Sequence, residues 1–88
     1  MKEKELEKIM KALANKRRIL ILRFLKNKGK ASVGNIAEEI KLSFKSTSRH
    51  LQILTKTDIL DKDQVNLSML YYLSKNPHPI VRKLLEIV

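Results

Sequence analysis

Apolar residues in the first third of the chain recur at the spacing of an α-helix. The first apolar stripe, at positions i, i+3, i+4 and i+7, consists of Leu6, Ile9, Met10 and Leu13. Asn15 can cap a second helix, in which six of the seven positions 19–25 are apolar. Because that helix is apolar nearly all round, we expect it to be central. Cations in its last turn precede Gly29, which we expect to terminate the helix in a left-handed conformation.

Two shorter patterns follow and predict a helix-turn-helix. Ser32 can cap a third helix, and residues 41–43 then form a short turn. The fourth helix is predicted from about Phe44 to Lys56, with Ser43 as its cap. Two helices joined by such a turn are typical of DNA-binding proteins. The spacing alone is only moderately specific, because many all-α proteins contain two helices and a tight turn.

The next segment predicts a β-hairpin. Asp63, Gln64 and Asn66 suit a polar turn, and residues 69–73 suit the return strand. Because side chains alternate across a strand, one of Tyr71 and Tyr72 should face the core and the other the surface. A hairpin directly after a helix-turn-helix predicts a winged helix-turn-helix fold. The fold class is therefore mostly α, with five helices plus a small β wing.

A last helix is predicted at the end of the chain. Asn76 can cap it, Pro77 suits its first turn, and the apolar pattern runs to Val88. Its apolar residues exceed one narrow stripe, so this helix needs a second surface to bury against. These residues are Ile80, Val81, Leu84, Leu85, Ile87 and Val88.

Charge is large and unevenly distributed. The formal net charge is +10, and residues 11–30 carry eight Lys or Arg without an acid. Residues 41–56 carry four more, again without an acid. Segregated positive charge indicates a polyanionic partner, and nucleic acid is favoured over an anionic membrane surface. A basic surface that only aids solubility is the alternative, but it would not explain why two separate segments exclude acids.

Several classes of protein are disfavoured. The absence of cysteine rules out disulfides and thiolate metal sites. We see no apolar span and no signal peptide, and we expect a cytoplasmic protein. No nucleophile elbow or glycine-rich phosphate loop is present, so we expect neither an enzyme nor a cofactor. A chain of 88 residues makes one small domain, which dimerisation can stabilise further.

The fourth helix carries most of the residues that we predict to bind DNA. One face holds hydroxyl, amide and basic side chains, whereas Phe44, Leu51 and Leu54 form the other. This composition suits a helix that lies against phosphates and base edges. The predicted DNA-binding residues of this segment are Ser43, Lys45, Ser46, Ser48, Arg49, His50, Gln52 and Lys56.

The longer side chains of this helix suit different contacts. Arg49 can make a bidentate contact to guanine, with a phosphate contact as the equal alternative. Gln52 can read adenine if it reaches the groove, and otherwise it is solvated. Lys45 and Lys56 suit phosphates, with a freely solvated face as the alternative. His50 can bond a phosphate, report pH or support the helix structurally.

The hydroxyl residues of the segment have smaller roles. Ser43 suits a cap that also touches a phosphate, and Ser46 and Ser48 are small enough to allow close approach. Thr47 occupies a position where an apolar residue is usual, so we expect a half-buried hydroxyl.

Three more cations outside this helix are candidate DNA contacts. Lys16 and Arg17 open the second helix, where cations oppose the helix dipole, which indicates a phosphate contact. The alternative is that their stems cover the core. Lys62 is the single cation of a predicted wing that also carries Asp61 and Asp63. We therefore expect an acidic wing tip with a weak grip on minor-groove phosphates.

Five segments between about residue 13 and residue 73 form an ordered combination of motifs. They are Leu13-Ala-Asn-Lys-Arg-Arg-Ile-Leu20, residues 31–40, Leu42-Ser43, Ser46-Thr-Ser-Arg-His-Leu51 and Leu70-Tyr-Tyr-Leu73. In these segments the chain resembles the ArsR-type winged helix-turn-helix transcriptional repressors. The resemblance implies a homodimer whose first and last helices, residues 2–14 and 77–88, form the interface. It also implies that the two fourth helices enter successive major grooves of an inverted-repeat operator.

The chain departs from this family where its members bind metals. Metal-sensing members place cysteines in the third helix, and residues 31–36 contain none. Another metal site of the family uses Asp, His and Glu of the last helix, where only His78 and Glu86 are candidates here. Two ligands are too few, so we expect no metal site.

Two other functions stay open at this point. A winged-helix module that binds protein or RNA without an operator of its own is the alternative, and the acidic wing favours it slightly. A basic amphipathic membrane binder is a third, which would need lipid-exposed apolar faces.

Overall fold

Five helices and one small antiparallel sheet form the structure, a computed structural model that describes residues 2–88 and leaves Met1 outside. The predicted winged helix-turn-helix fold is confirmed. The helices are α1 (Glu3–Leu13), α2 (Lys16–Lys28), α3 (Val33–Ile40), α4 (Phe44–Lys56) and α5 (Pro79–Ile87). The strands are β1 (Lys30–Ser32), β2 (Leu60–Val65) and β3 (Ser68–Leu73).

Side-chain caps that were predicted from the sequence fix where three of the helices begin. The Asn15 side chain accepts a hydrogen bond from the Arg18 N–H at the start of α2. Ser32 and Ser43 do the same for the third residue of α3 and of α4. Each cap satisfies an amide that the first helical turn leaves free. All three predicted caps are confirmed, and α4 has the predicted bounds.

The core is built around α2, as predicted. Ile21, Leu22 and Leu25 of this helix are fully buried. They belong to one apolar cluster with residues from every helix and from all three strands. Phe44 was wrongly assigned to the inner face of α4, since its side chain is 64% exposed. It occupies the first position of α4, where the helix begins beyond the core.

The sheet differs from the predicted hairpin in two respects. β3 lies between β1 and β2, and the short strand β1 was not predicted. The hairpin turn consists of Asn66 and Leu67, not of Asp63 and Gln64, which lie within β2. Asn66 has φ 57°, a left-handed conformation that asparagine tolerates. Tyr71 faces the core and Tyr72 lies partly exposed, as the predicted alternation requires.

The ends of three helices also differ from the prediction. α5 begins at Pro79, and its cap is His78, whose Nδ1 accepts from the Ile80 N–H, so Asn76 and Pro77 were wrongly placed. Gly29 ends α2 with a positive φ of 95°, but its ψ of −81° lies outside the left-handed helical region. α1 spans Glu3–Leu13, one residue shorter at each end than expected. In the described part of the chain, no helix is long and apolar enough to cross a bilayer.

Candidate nucleic-acid interface

The two faces of α4 have opposite characters. Thr47, Leu51 and Leu54 point inward and are 0% exposed. The opposite side carries four exposed residues at spacings i, i+4, i+7 and i+11, which places them in one line along the helix. We call this line the basic strip; its members are Lys45, Arg49, Gln52 and Lys56. α4 contains no acid, so positive charge dominates this surface.

The flanks of the basic strip are small or apolar. Ser46 and Ser48 are half-buried, and Ser43 is exposed while its hydroxyl caps the helix. Ile53, which the sequence reasoning missed, is 40% exposed. Its position four residues after Arg49 is the signal that could have placed it beside the strip. An exposed aliphatic side chain here is suited to contact the methyl group of thymine.

The arginines at the start of α2 make contacts within the protein. Arg18 donates from Nε to the Ala12 carbonyl over 2.7 Å and from Nη2 to the Lys11 carbonyl over 3.4 Å. It therefore satisfies carbonyls at the C-terminal end of α1. Arg17 donates from Nη1 to the Ile40 carbonyl over 3.4 Å, which places its guanidinium beside the turn into α4. Lys16 is exposed.

Two polar atoms on the inner side of α4 are buried without a partner. Neither the Thr47 hydroxyl nor His50 Nδ1 forms a hydrogen bond with any described residue. Thr47 was expected to be half-buried, but the side chain is completely enclosed because its face packs against the core. Burial lowers the pKa of His50 below 6.5, and the positive charges of Arg18 and Arg17 lower it further. The imidazole is therefore mainly uncharged at neutral pH.

The acids of the wing are bonded within the fold. Asp63 accepts from Lys30 Nζ over 3.0 Å and from the Tyr72 hydroxyl over 3.2 Å. The Lys30 hydrogen bond is the main cause that lowers the pKa of Asp63 below 3.8. Lys30 Nζ also lies 4.7 Å from the centre of the Tyr72 ring. Asp61 accepts from the backbone N–H of Lys62, whose own side chain is exposed.

The tip of the wing carries no charge, so the expectation of an acidic tip was wrong. The turn lies beyond the two acids because β2 continues to Val65. Leu67 at the turn is fully exposed, and Val65 is 46% exposed. The observation that favoured a protein- or RNA-binding module over a DNA-binding protein is thereby removed.

The two candidate metal ligands at the last helix each have a contact within the chain. His78 uses Nδ1 as the cap of α5, and Glu86 lies 3.7 Å from Lys83 Nζ. Within residues 2–88, no group of three or more His, Cys, Asp or Glu side chains comes together.

Comparisons with known proteins agree with this geometry. The family model described as "Bacterial regulatory protein, arsR family" matches residues 15–62. Reduced HlyU from Vibrio cholerae is 28% identical, with a TM-score of 0.80, over 94% of this chain and 83% of that one. NolR from Sinorhizobium fredii is also 28% identical, with a TM-score of 0.82, over 94% and 79%.

A third solved structure is described as homodimeric. The winged helix-turn-helix DNA-binding domain of Mb0332 from Mycobacterium bovis, a possible ArsR-family regulator, is 25% identical, with a TM-score of 0.81. The match covers 96% of this chain and 74% of that one. Comparison with curated proteins returned no match.

Proposed function

This chain belongs to the ArsR family of bacterial regulatory proteins, and on that premise we propose that it is a homodimeric, sequence-specific repressor that binds double-stranded DNA. The family consists of transcriptional regulators, not of enzymes. The observation that carries the proposal is the basic strip, an exposed, acid-free line on a helix whose opposite face is fully buried.

The basic strip has the dimensions of a major-groove contact. Lys56 lies eleven positions after Lys45, so the strip is about 16.5 Å long at about 1.5 Å per residue. An α-helix fits the major groove, where each base pair presents a distinct set of donors and acceptors. The buried inner face fixes the orientation of α4, so the strip meets the DNA as a preorganised surface.

We assign base reading to the middle of the strip and phosphate binding to its ends. Arg49 suits guanine, Gln52 suits adenine, and Ile53 suits the methyl group of thymine. Phosphate contacts orient a protein on DNA without reading sequence. The residues that we assign to phosphates or to close approach are Ser43, Lys45, Ser46, Ser48, His50 and Lys56 of α4 with its cap, Lys16 and Arg17 of α2, and Lys62 of the wing.

The dimer interface is proposed for the terminal helices, within residues 2–14 and 77–88. Both helices leave apolar side chains at the surface, among them Met10, which is 49% exposed, and Ile87, which is 80% exposed. Leu84 and Leu85 of α5 are only half-buried. A second copy would cover this apolar area.

Sedimentation should show a dimer for the wild type and a monomer for the Leu84→Glu, Ile87→Glu double variant.

The proposal also includes repression that needs no metal effector. A dimer in two successive major grooves occupies an operator and excludes polymerase from an overlapping promoter. The chain has no cysteine, and the His and Glu of α5 have other partners. Transcription in vitro from a promoter that contains the operator should decrease with added protein, and divalent zinc or nickel should not restore it.

Selection of bound sequences from random duplex DNA tests the proposal. We expect an inverted repeat with half-sites about 10 base pairs apart, centre to centre. The Arg49→Ala variant provides the matched control, since it should weaken or relax that selection. If no sequence outcompetes bulk DNA, the chain is instead a winged-helix interaction module without its own operator.

A further inference from the structure

The first residue of α4 exposes an aromatic ring. Phe44 is 64% exposed, and among residues 2–88 it is the one exposed aromatic side chain. It belongs neither to the apolar core nor to the half-buried side chains that pack against the core. The fold therefore does not use the ring, and most of its apolar area is available to a partner.

The surroundings of the ring indicate which partner this is. Ser43 and Lys45, on either side of Phe44, are also exposed. Residues 41–56 contain four Lys or Arg and no acid. A surface with this charge favours a polyanion, and a phenyl ring within it must then contact an apolar part of that polyanion.

The position of Phe44 favours the bases of DNA over its phosphates. In a helix-turn-helix, the N-terminal residues of the recognition helix contact base edges in the major groove, and Phe44 is the N-terminal residue of α4. A phenyl ring has no donor for a phosphate oxygen. It can contact the C5-methyl group of thymine, which is the one methyl group that the base pairs present in the major groove.

Phe44 and Ile53 lie on opposite flanks of the basic strip. Phe44 precedes Ser48 by four residues and Ile53 follows Ser46 by seven, so each shares a side of α4 with one of these serines. The nine positions from Phe44 to Ile53 correspond to about 13.5 Å along the helix. One methyl group cannot contact both side chains, so a thymine beside Phe44 differs from the thymine assigned to Ile53.

We propose that Phe44 is a specificity-determining residue that contacts the methyl group of a second thymine in each half-site of the operator. The inference rests on the proposed function. It adds a base position at the end of the half-site that the start of α4 reaches, beyond the positions assigned to Arg49, Gln52 and Ile53. Because the contact is with the methyl group alone, replacing this thymine by uracil removes the contact and keeps the base pair.

Uracil scanning of the selected operator tests the proposal. Each thymine is replaced in turn by deoxyuridine in both half-sites, and the affinity of the wild-type protein is measured by titration. Loss of one methyl contact should weaken binding about fourfold, and loss of the contact in both half-sites about fifteenfold.

The same scan of three variants assigns each response to a side chain. In Phe44→Ala, one position that responds in the wild type should become insensitive to uracil, because the partner of the methyl group is gone. The matched control is Ile53→Ala, which lies on the other flank and should keep the response at that position and lose it at another. Phe44→Leu retains an apolar side chain and should keep part of the response.

Sedimentation and urea denaturation of Phe44→Ala without DNA complete the test, and both should match the wild type because the ring is exposed. A changed oligomeric state would assign the ring to a contact between copies and overturn the inference. It is also overturned if uracil weakens wild-type binding at no position, or if Phe44→Ala keeps every response. In these cases the wild type still selects an operator, so the proposed function stands. If no sequence is selected at all, both fail.

Discussion

The helix α4 and the wing formed by β2 and β3 use their charged residues in opposite ways. The cations of α4 have no acid beside them in the helix and lie exposed in a line. In the wing, Asp63 is bonded to Lys30 and Tyr72, and the turn itself is uncharged. The helix leaves its charge exposed on the surface, whereas the sheet uses Asp63 to connect all three strands.

This difference shows why a count of acids is a poor guide to electrostatic repulsion. By sequence, the two acids beside Lys62 predict a wing with a weak grip on minor-groove phosphates. In the structure, Asp63 is matched by a cation from another strand, and Asp61 accepts from a backbone N–H. A carboxylate with such partners repels phosphate less than a free one, since the nearby positive charge offsets it. Paired acids and an exposed basic strip can therefore belong to one DNA-binding surface.

The largest expected effect concerns the anchoring of α4. Leu51 is fully buried, so Leu51→Ala should lower the free energy of unfolding by about 2–5 kcal/mol through the cavity that it leaves. Phe44→Ala provides the control in the same helix, because that side chain is 64% exposed. It should change stability by no more than about 0.5 kcal/mol. Urea denaturation at fixed protein concentration measures the free energy of unfolding of both variants. If both substitutions lower it equally, the inner face does not anchor the helix.

The next effect separates the helix from the rest of the basic surface. Arg49→Ala should weaken operator binding by about 1–3 kcal/mol and relax selectivity at one base position, if Arg49 reads a base. Lys28→Ala removes the same charge from the exposed end of α2 and should change affinity far less. Titration of each protein variant against the operator and against single-base variants of the operator measures these affinities. A loss of equal size on every sequence would identify Arg49 as a phosphate contact.

Local signals explain what could be predicted from the sequence. Ser43 lies directly before a helical pattern, and a side-chain cap acts within three residues, so the start of α4 was placed correctly. The basic strip also follows from helical spacing alone. Features that depend on distant partners could not be predicted in this way. β1 has three residues, too few for an alternating pattern, and Lys30 pairs with Tyr72 in β3.

The errors share a second physical cause, which is competition between equally suitable residues. Asn76 and His78 can both cap a helix, and the helix begins at Pro79, directly after His78. Likewise, Asp63 and Asn66 both suit a turn, but the pairing of β2 with β3 extends to Val65 and selects Asn66. The complete burial of Thr47 depends on neighbours from other elements, which a helical pattern does not specify.

A smaller effect compares phosphate contacts in the helix and in the wing. Each phosphate contact that is lost should reduce the slope of log affinity against log salt by about 0.9, and a dimer loses two per substitution. Lys45→Ala should show this full reduction, and Lys62→Ala a smaller one. Binding measured across a series of salt concentrations gives both slopes. Equal reductions would mean that the wing holds the DNA backbone as firmly as the helix does.

The smallest effect tests whether the charge of Asp63 serves the fold. Asp63→Asn removes the ion pair with Lys30 and should lower stability slightly, with faster amide exchange in β2 and β3. Asp61→Asn is the matched control, because it removes the same charge from a carboxylate bonded only to the neighbouring backbone N–H.

The pH dependence follows from the pKa of Asp63, which folding lowers. The stability that the Asp63 charge contributes is complete above pH 3.8, and it is lost as pH falls through the lower pKa of the folded state. The stability difference between the two variants should therefore be present at pH 6 and vanish in strong acid. A difference that persists there would mean that packing of the side chain, and not its charge, holds the wing to the domain.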